Sequence, residues 1–301
     1  MAQTQEAASA ARFGASLAGR VDASLSLGFE RRETGGATVL SEAAQSPPLR
    51  VIRAFPTEDQ SALVHLHNVS GGVLGGDRLA LSVRVGYGAS AQLTTTGATR
   101  VYRSRGDNLS AIQVNEIAVE ENGLLEYVPD AIIPFAGARF QQQTRIQLSA
   151  GAGLFWWEIL APGREARGEC FAYSRVGLRT EIHACGRLIA FENVDLEPAK
   201  IHMGAIARLG VYRYWITFYF CRAGDASSKW LAAEAHMRET AAPWCKPGEM
   251  LWSVSTLPAD GLAIRGLARR GREILPALQA LWSSAKVFLY GRAPILPRKV
   301  Q

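Results

Sequence analysis

The sequence predicts a mainly β protein with two helices in its C-terminal region, and three observations carry this prediction. Apolar and polar residues alternate over short segments such as 79–85, with the period of a half-buried strand. Glycines recur between these segments as turn signals, and no helical periodicity appears before about residue 227. From there on, two segments rich in alanine and leucine have the composition of helices.

Four short strands are predicted ahead of a glycine loop, at 21–29, 38–40, 49–53 and 61–69. The loop, residues 71–78, reads Gly-Gly-Val-Leu-Gly-Gly-Asp-Arg and leads directly into the strand at 79–85. Phosphate-binding loops run from a strand into a helix and carry Gly-Lys-Ser or Gly-Lys-Thr. Because this loop has no such lysine and precedes a strand, it argues against nucleotide binding.

The middle of the chain contains a weak internal repeat. Three segments, which begin at Gly88, Gly123 and Gly153, each combine a glycine, a strand, a second glycine and another strand. The leading glycines are 35 and 30 residues apart (123 − 88 and 153 − 123). This period predicts a β-helix-like, solenoid-like stack of strands. The glycine turns of an irregular antiparallel sandwich explain the same spacing, and the sequence leaves both open.

The two helices are predicted at 230–239 and 265–289. Ser227 and Ser228 precede the first helix as a serine cap. Pro276 kinks the second helix or begins part of it. The apolar face of the second helix is formed by Leu267, Leu275, Leu278, Leu281 and Trp282.

Residues 1–20 are predicted to be a flexible tail, followed by a single β-rich domain over 21–301. The tail has no hydrophobic segment of the kind found in secretory signals, and the apolar stretch at 211–221 is too short to cross a bilayer. The cysteines form no Cys-x-x-Cys pair. We therefore expect a cytoplasmic protein with reduced thiols and no membrane partner.

The composition describes a chain that folds around a sizeable core. Of its 301 residues 48% are hydrophobic and 20% are charged, which excludes global disorder. The formal net charge is +6, and nearly all of the positive charge is arginine, which favours an acidic partner. Because no run of five basic residues and no basic helix with interleaved aromatic residues occurs, we expect no nucleic-acid partner.

Two pairs of possible metal ligands are spaced two residues apart. His65 and His67 lie on a predicted strand, so both side chains point to the same face, and His183 and Cys185 repeat the spacing. Imidazole and thiolate bind Ni²⁺ and Zn²⁺, so each pair could supply half of a site. Side chains that simply pack within a sheet are the simpler interpretation, because neither pair has a second pair close by in the sequence.

Five carboxylates lie beside the glycine turns of the middle region. They are Asp77, Glu126, Asp130, Glu158 and Glu169. If the turns stack, these side chains line one edge of the stack or an interior passage, where a divalent cation finds weak oxygen ligands. Alternatively, Asp77 pairs with Arg78 or another arginine and the glutamates are solvated.

Four motifs, in order, carry a resemblance to a known family. The first motif, at residues 71–79, matches Gly-Gly-x-x-Gly-Gly-Asp-x-Leu, and the second, at 93–104, reads Leu-Thr-Thr-Thr-Gly-Ala-Thr-Arg-Val-Tyr-Arg-Ser. The third combines Leu-Glu-Tyr-Val-Pro-Asp at 125–130 with Gly-Ala-Arg-Phe at 137–140. The fourth is Arg-Gly-Glu at 167–169. Together they resemble the urease accessory protein family UreD, called UreH in some species. The principal matching residues are Gly71, Gly72, Gly75, Gly76, Asp77, Thr94, Thr95, Gly97, Ala98, Thr99, Tyr102 and Arg103.

The resemblance implies a non-enzymatic scaffold for urease maturation. Such proteins bind the urease apoprotein and recruit UreF, which docks the GTPase UreG, so that nickel is inserted beside a carbamylated lysine. The implied fold is largely β-helical with two helices, no cofactor is bound stably, and nickel passes only transiently. On the model of an internal nickel passage, the candidate lining residues are Asp77, Glu126 and Glu169.

A β-solenoid enzyme acting on polysaccharides is the alternative. Such enzymes also consist of stacked strands, and the carboxylates would then be catalytic. The chain has no paired-carboxylate motif and no recognisable secretion signal, so the scaffold is the preferred hypothesis.

Overall fold

The computed structural model describes residues 20–104 and 109–297, so the predicted tail lies outside the described residues except for Arg20. The described chain folds into two β-sheets and two α-helices. The strands are β1 (Asp22–Arg31), β2 (Thr38–Gln45), β3 (Leu49–Arg50), β4 (Ala54–Pro56), β5 (Ala62–Asn68), β6 (Arg78–Val85), β7 (Ser90–Thr95), β8 (Thr99–Val101), β9 (Ala111–Val119), β10 (Leu124–Tyr127), β11 (Ile132–Pro134), β12 (Arg139–Leu148), β13 (Gly153–Leu160), β14 (Arg175–Ala184), β15 (Arg187–Leu196), β16 (Tyr214–Arg222), β17 (Met250–Thr256) and β18 (Gly261–Ala268). The helices are α1 (Ser227–Ala241) and α2 (Ile274–Tyr290).

The chain crosses between the two sheets from β5 to β14. The first sheet has the order β15-β14-β12-β9-β6-β1-β2, and the second has the main path β17-β18-β16-β13-β10-β7-β5-β3. The central neighbours of each sheet pair in parallel, because the chain visits the other sheet between them. Antiparallel strands flank this region: β2 and β15 in the first sheet, and β16, β18 and β17 in the second.

The internal repeat corresponds to adjacent strands. The segments that begin at Gly88, Gly123 and Gly153 supply β7, β10 and β13, and Leu124 lies opposite both Ser90 and Gly153. The prediction of a mainly β chain with two C-terminal helices is confirmed. The more specific solenoid-like stack stays a prediction.

Two apolar layers hold the structure together. Between the sheets, Leu27, Leu93 and Trp156 belong to one buried cluster. On the other side of the second sheet, Trp157 and its neighbours pack against the buried face of α2 around Trp282. Adjacent residues of β13 therefore enter opposite layers, because side chains alternate along a strand.

The outer face of the first sheet is polar, as the pattern of β6 illustrates. Exposed and buried residues alternate along its whole length, with Leu79, Leu81, Val83 and Val85 buried. The predicted strand at 79–85 is confirmed, and its apolar residues all face the second sheet.

Two predicted element boundaries are wrong. The second helix begins at Ile274 and not at 265, since Arg265 and Leu267 belong to β18. Strand geometry continues there because β18 pairs with both β16 and β17. The predicted strand at 49–53 is reduced to Leu49–Arg50.

The predicted serine cap of the first helix is also wrong. Helix α1 already begins at Ser227, and Ala226 is its N-cap. No side chain of the described residues donates or accepts a capping hydrogen bond there. Among the described residues, no helix is long and apolar enough to cross a membrane.

Candidate functional site

The glycine loop folds because two different constraints require glycine. Gly76 has a φ of 94°, in the left-handed region that side chains disfavour. At Gly72 a Cβ would lie 2.2 Å from Cε2 of Tyr102, so the tyrosine ring covers the backbone at this point. The loop is therefore a closely packed turn, in agreement with its position ahead of β6.

The other family motifs pack against this loop. The Tyr102 hydroxyl donates to the Gly71 carbonyl oxygen at 3.3 Å, and its ring meets Phe135 edge-on, with centroids 4.8 Å apart. The Arg164 guanidinium lies 4.2 Å above the Phe135 ring and forms an ion pair with Glu169. Segments that are far apart in the sequence thus form one surface, which we call the motif face.

Asp77 holds the glycine loop closed. Its Oδ2 accepts a hydrogen bond from the Leu74 amide at 2.8 Å, and its Oδ1 accepts one from the Val21 amide at 3.2 Å. The side chain is buried, and no ion pair with Arg78 is found among the described residues. These contacts connect the loop to the start of β1.

Glu169 has a similar supporting position in the motif face. Besides its pair with Arg164, it accepts a hydrogen bond from the Ala136 amide at 3.1 Å. The hydrogen bond and charge of Arg164 lower the pKa of Glu169.

Glu126 lies beneath helix α2. Its Oε1 accepts from Lys286 Nζ at 2.6 Å and its Oε2 from Trp282 Nε1 at 2.8 Å. Both members of the Glu126–Lys286 pair are buried, and Lys286 Nζ also lies 3.5 Å from Oδ2 of Asp59. Burial raises the pKa of Glu126 above its ordinary value. The charge and hydrogen bond of Lys286 and the hydrogen bond from Trp282 act in the opposite direction. The pair anchors the helix to β10 on the side of the second sheet that faces away from the first.

The two predicted half-sites for metal have different surroundings. His65 meets Phe55 edge-on with centroids 5.9 Å apart, while burial and the nearby His65 lower the pKa of His67. Strand β14 ends at Ala184, so Cys185 lies in the following turn with a φ of 48°. The same-face argument therefore does not apply to His183 and Cys185. No group of three His, Cys, Asp or Glu side chains that could hold a metal occurs within residues 20–104 and 109–297.

A row of polar residues crosses the interior face of the first sheet. Strand pairing places Asn115 beside Thr144, Thr144 beside Thr180, and Thr180 beside Glu192. We call these four residues the first polar row. Asn115 and Thr144 are linked directly, since Asn115 Nδ2 donates to Thr144 Oγ1 at 3.0 Å.

A second polar row crosses the facing side of the second sheet. Here Glu158 lies beside Thr217, Thr217 beside Arg265, and Arg265 beside Ser253. The Glu192 carboxylate joins the two rows by accepting hydrogen bonds from Arg265 Nε at 3.2 Å and the Tyr219 hydroxyl at 2.7 Å.

Three cavities follow the polar rows through the space between the sheets. The loop-side cavity, of about 250 Å³, is bordered by the glycine loop, Asn115, Gln142 and Glu158. A constriction of about 10 Å³, the size of a single water, lies between Glu158, Glu192 and Thr217. The terminal cavity, of about 780 Å³, shares Leu160 and Trp215 with the constriction.

Glu158 borders both the loop-side cavity and the constriction. Its Oε1 accepts a hydrogen bond of 2.5 Å from Gln142 Nε2 of the first sheet. Burial, together with the charge of Glu192, raises the pKa of Glu158 to about 8. Glu158 keeps some accessible surface although protein surrounds it, because that surface faces the internal cavities.

The interior rows were only partly evident from the sequence. The sequence places Glu158 beside a glycine turn, whereas it does not mark Gln142, Asn115 and Glu192 as site residues. The available signal was a polar residue at an inward-facing position of successive strands. Asp77, Glu126 and Glu169 border none of these three cavities, and their predicted passage role is untested by these contacts.

The motif face and the polar interior are thus the two features that this mainly β fold builds. Comparison with known proteins identifies its family: the model described as UreD urease accessory protein matches residues 21–301. A urease accessory protein UreD from Herpetosiphon aurantiacus is 46% identical over 263 residues, which cover 87% of this chain and 91% of the relative. A second UreD protein, from Halalkalibacterium halodurans, is 33% identical over 279 residues, which cover 90% of this chain and 95% of the relative. A third, from Staphylococcus aureus, is 29% identical over 245 residues, which cover 81% of this chain and 86% of the relative.

The chain belongs to the UreD family of urease accessory proteins. The resemblance seen in the four motifs is therefore confirmed. The relatives are accessory proteins and not enzymes, which also confirms the expectation of a non-enzymatic protein.

We expect Gly72→Ala to destabilise the protein by about 1–3 kcal/mol, because the new methyl group collides with Tyr102 and the Arg100 backbone. Gly97→Ala is the matched control in the next motif, since no atom of the described residues lies within 4 Å of its Cβ position. Urea unfolding followed by tryptophan fluorescence measures both. Equal unfolding free energies for the two variants would contradict the packing of the motif face.

Glu158→Gln should stabilise the protein increasingly as the pH rises. Between pH 4.5 and about 8 the folded protein retains a proton that the unfolded chain has released, so wild-type stability falls with pH. The free energy of unfolding of the wild type should fall by up to about 1.4 kcal/mol per pH unit in this range. Above the pKa of Glu158 in the folded protein, this dependence on pH should disappear. Thermal unfolding across this range, with the exposed Glu116→Gln as control, measures the difference. A pH-independent difference between Glu158→Gln and wild type would rule out a buried, protonated Glu158.

Proposed function

We propose that this protein is a scaffold for urease maturation in the cytoplasm. In this proposal it binds the urease apoprotein and recruits UreF, which docks the GTPase UreG, while nickel is inserted beside the carbamylated lysine. Membership of the UreD family supports the role in urease maturation. The alternative of a polysaccharide-active enzyme has no support in the relatives, which are named as accessory proteins.

We further propose that nickel is a transient cargo that moves between the two sheets. The observation that carries this proposal is the sequence of three cavities along the polar rows. Glu158 borders the first two, and Leu160 and Trp215 border the last two. The path is supported by this shared lining and by the contacts that Glu192 of the first sheet makes across the space with Tyr219 and Arg265 of the second.

The lining chemistry suits an ion that passes and does not stay. His67 brings one imidazole to the border of the loop-side cavity. The rest of the polar lining includes amide, hydroxyl and carboxylate oxygens from Asn115, Gln142, Thr217, Glu158 and Glu192. Such hard ligands hold nickel less firmly than imidazole or thiolate ligands do. The constriction has room for about one water, so a hydrated ion has to shed water or move side chains there.

Glu158 couples the passage of nickel to proton release. A carboxylate must lose its proton before it can bind a metal ion. Because the pKa of Glu158 is about 8, the arrival of nickel at neutral pH displaces a proton from this side chain. Nickel transfer should therefore become easier as the pH rises towards 8.

The earlier passage candidates have supporting positions in this proposal. Asp77 and Glu169 stabilise the motif face, and Glu126 anchors α2 to the second sheet. The parallel alternation from β5 to β14 supports a solenoid-like stack as the framework around the passage.

Glu158→Ala should reduce the nickel content of urease by about tenfold or more without preventing complex assembly. The variant is co-expressed with the urease apoprotein and the UreF and UreG homologues. Size-exclusion chromatography then reports assembly, and metal analysis of the purified urease reports nickel. Glu116→Gln, which changes an exposed carboxylate on the outer face of the first sheet, is the control.

Full nickel loading by the Glu158→Ala complex would refute the passage. Loss of the complex itself would assign Glu158 to assembly and would also count against a passage role. Asp77→Asn, Glu126→Gln and Glu169→Gln, measured in the same way, should change assembly or stability and leave nickel loading of the assembled complex intact.

A further inference from the structure

Strand β17 forms the least protected sheet edge among the described residues. Each of the other edges has a protecting feature. Strand β15 carries the charged residues Arg187, Glu192 and Asp195, strand β2 has an irregular register with β1, and strand β3 has only two residues. In contrast, β17 reads Met-Leu-Trp-Ser-Val-Ser-Thr, without a charge, a proline or a bulge. Proteins normally protect such an edge, because its free backbone groups accept another strand.

The backbone groups of β17 that point away from β18 belong to its even-numbered residues. Met250 exchanges hydrogen bonds with Lys246 there. The Trp252 amide donates to Cys245 Sγ at 3.3 Å, and this thiol donates to the Trp252 carbonyl oxygen at 3.6 Å. The alternation of an antiparallel strand directs the groups of Val254 and Thr256 to the same side. A thiol is a weak hydrogen-bond partner, so an added strand would displace it at Trp252 and would pair directly with Val254 and Thr256.

Depressions lie on both faces of this edge. On the inner face, Leu251 and Ser253 border the terminal cavity, together with Leu267 and Trp215 of the neighbouring strands. On the helix-covered face, a second depression of about 450 Å³ is bordered by Trp252, Val254 and the end of α1. An added strand would direct alternate side chains into the two depressions, which is the arrangement by which sheet edges recognise extended peptides.

One cation at the border of the terminal cavity has no carboxylate partner in the described structure. Arg208 is exposed there and donates one hydrogen bond to the His202 carbonyl oxygen at 3.3 Å, but it forms no ion pair within the described part of the chain. Arg213 and Arg265, in contrast, are paired with Glu165 and Glu192. The Tyr173 hydroxyl is buried and has no hydrogen-bond partner among the described residues. A mainly apolar cavity bordered by one cation that lacks an ion pair is complementary to an apolar segment that carries an acidic group.

We propose that β17 binds an extended segment of a partner protein as an additional strand. Alternate apolar side chains of that segment enter the terminal cavity, and an acidic side chain pairs with Arg208. The inference rests on the proposed scaffold function and specifies one docking edge for it. It also brings the partner to the end of the polar rows, since Ser253 of β17 is the last member of the second row.

The test uses the isolated full-length protein without metal. The probe is a fluorescein-labelled, acetylated heptapeptide that alternates threonine with leucine and ends in an amidated glutamate. Fluorescence anisotropy should show saturable binding, which N-methylation of alternate peptide nitrogens should abolish. Arg208→Glu should weaken binding about tenfold, because it reverses the cation at the cavity.

Two further variants separate the edge from the general charge of the protein. Thr256→Pro removes an outward-facing amide and should weaken binding, because proline is tolerated at a strand edge while it removes the donor. Arg32→Glu makes the same charge change as Arg208→Glu at the turn after β1 and should bind like wild type. Circular dichroism melts check that each variant is folded.

Three results would overturn the proposal. They are the absence of saturable peptide binding, equal binding of the N-methylated peptide, and a dimer in solution that Thr256→Pro dissociates, which would assign the edge to a second copy. Because no nickel is present, failure here leaves the passage proposal standing. Conversely, failure of the nickel experiment leaves this binding result unchanged.

Discussion

The burial of polar side chains between two apolar sheets is the constraint on which the rest of the structure depends. A carboxylate without a cation is costly in such a place, and Glu158 meets that cost by keeping its proton and one hydrogen bond from Gln142. Glu192 is stabilised differently, by Arg265 and Tyr219. These polar rows in an otherwise apolar interior are the basis of the proposed nickel passage.

The alternation of the chain between the sheets creates this interior. Each crossing brings one strand of the first sheet opposite one of the second, so that inward-facing residues of successive strands form continuous rows. The closely packed glycine loop and the motif face stabilise the crossings near the loop-side cavity. Helix α2 supports the second sheet from outside, through Trp282 and the buried Glu126–Lys286 pair.

Much of the fold followed from the sequence, because alternation and glycine turns are local signals. The strand at 79–85 and the late position of both helices are examples. The predicted start of α2 was wrong because Leu267 fits the apolar spacing of a helix as well as that of a strand. Its pairing with Trp215 and Leu251 in the sheet is what makes it part of a strand. The polar rows depend on registers between distant strands, such as Thr180 beside Glu192, which no local pattern reveals.

The central claim is that nickel travels inside the protein, and protection from a chelator tests it most directly. Nickel is loaded on the GTPase, the complex with apo-urease is assembled, and excess chelator is added before nucleotide triggers transfer. An enclosed path predicts that urease acquires nickel and activity despite the chelator, and that Glu158→Ala abolishes this protected transfer. If the chelator stops nickel incorporation in the wild-type complex, the ion travels through solvent and the account is wrong.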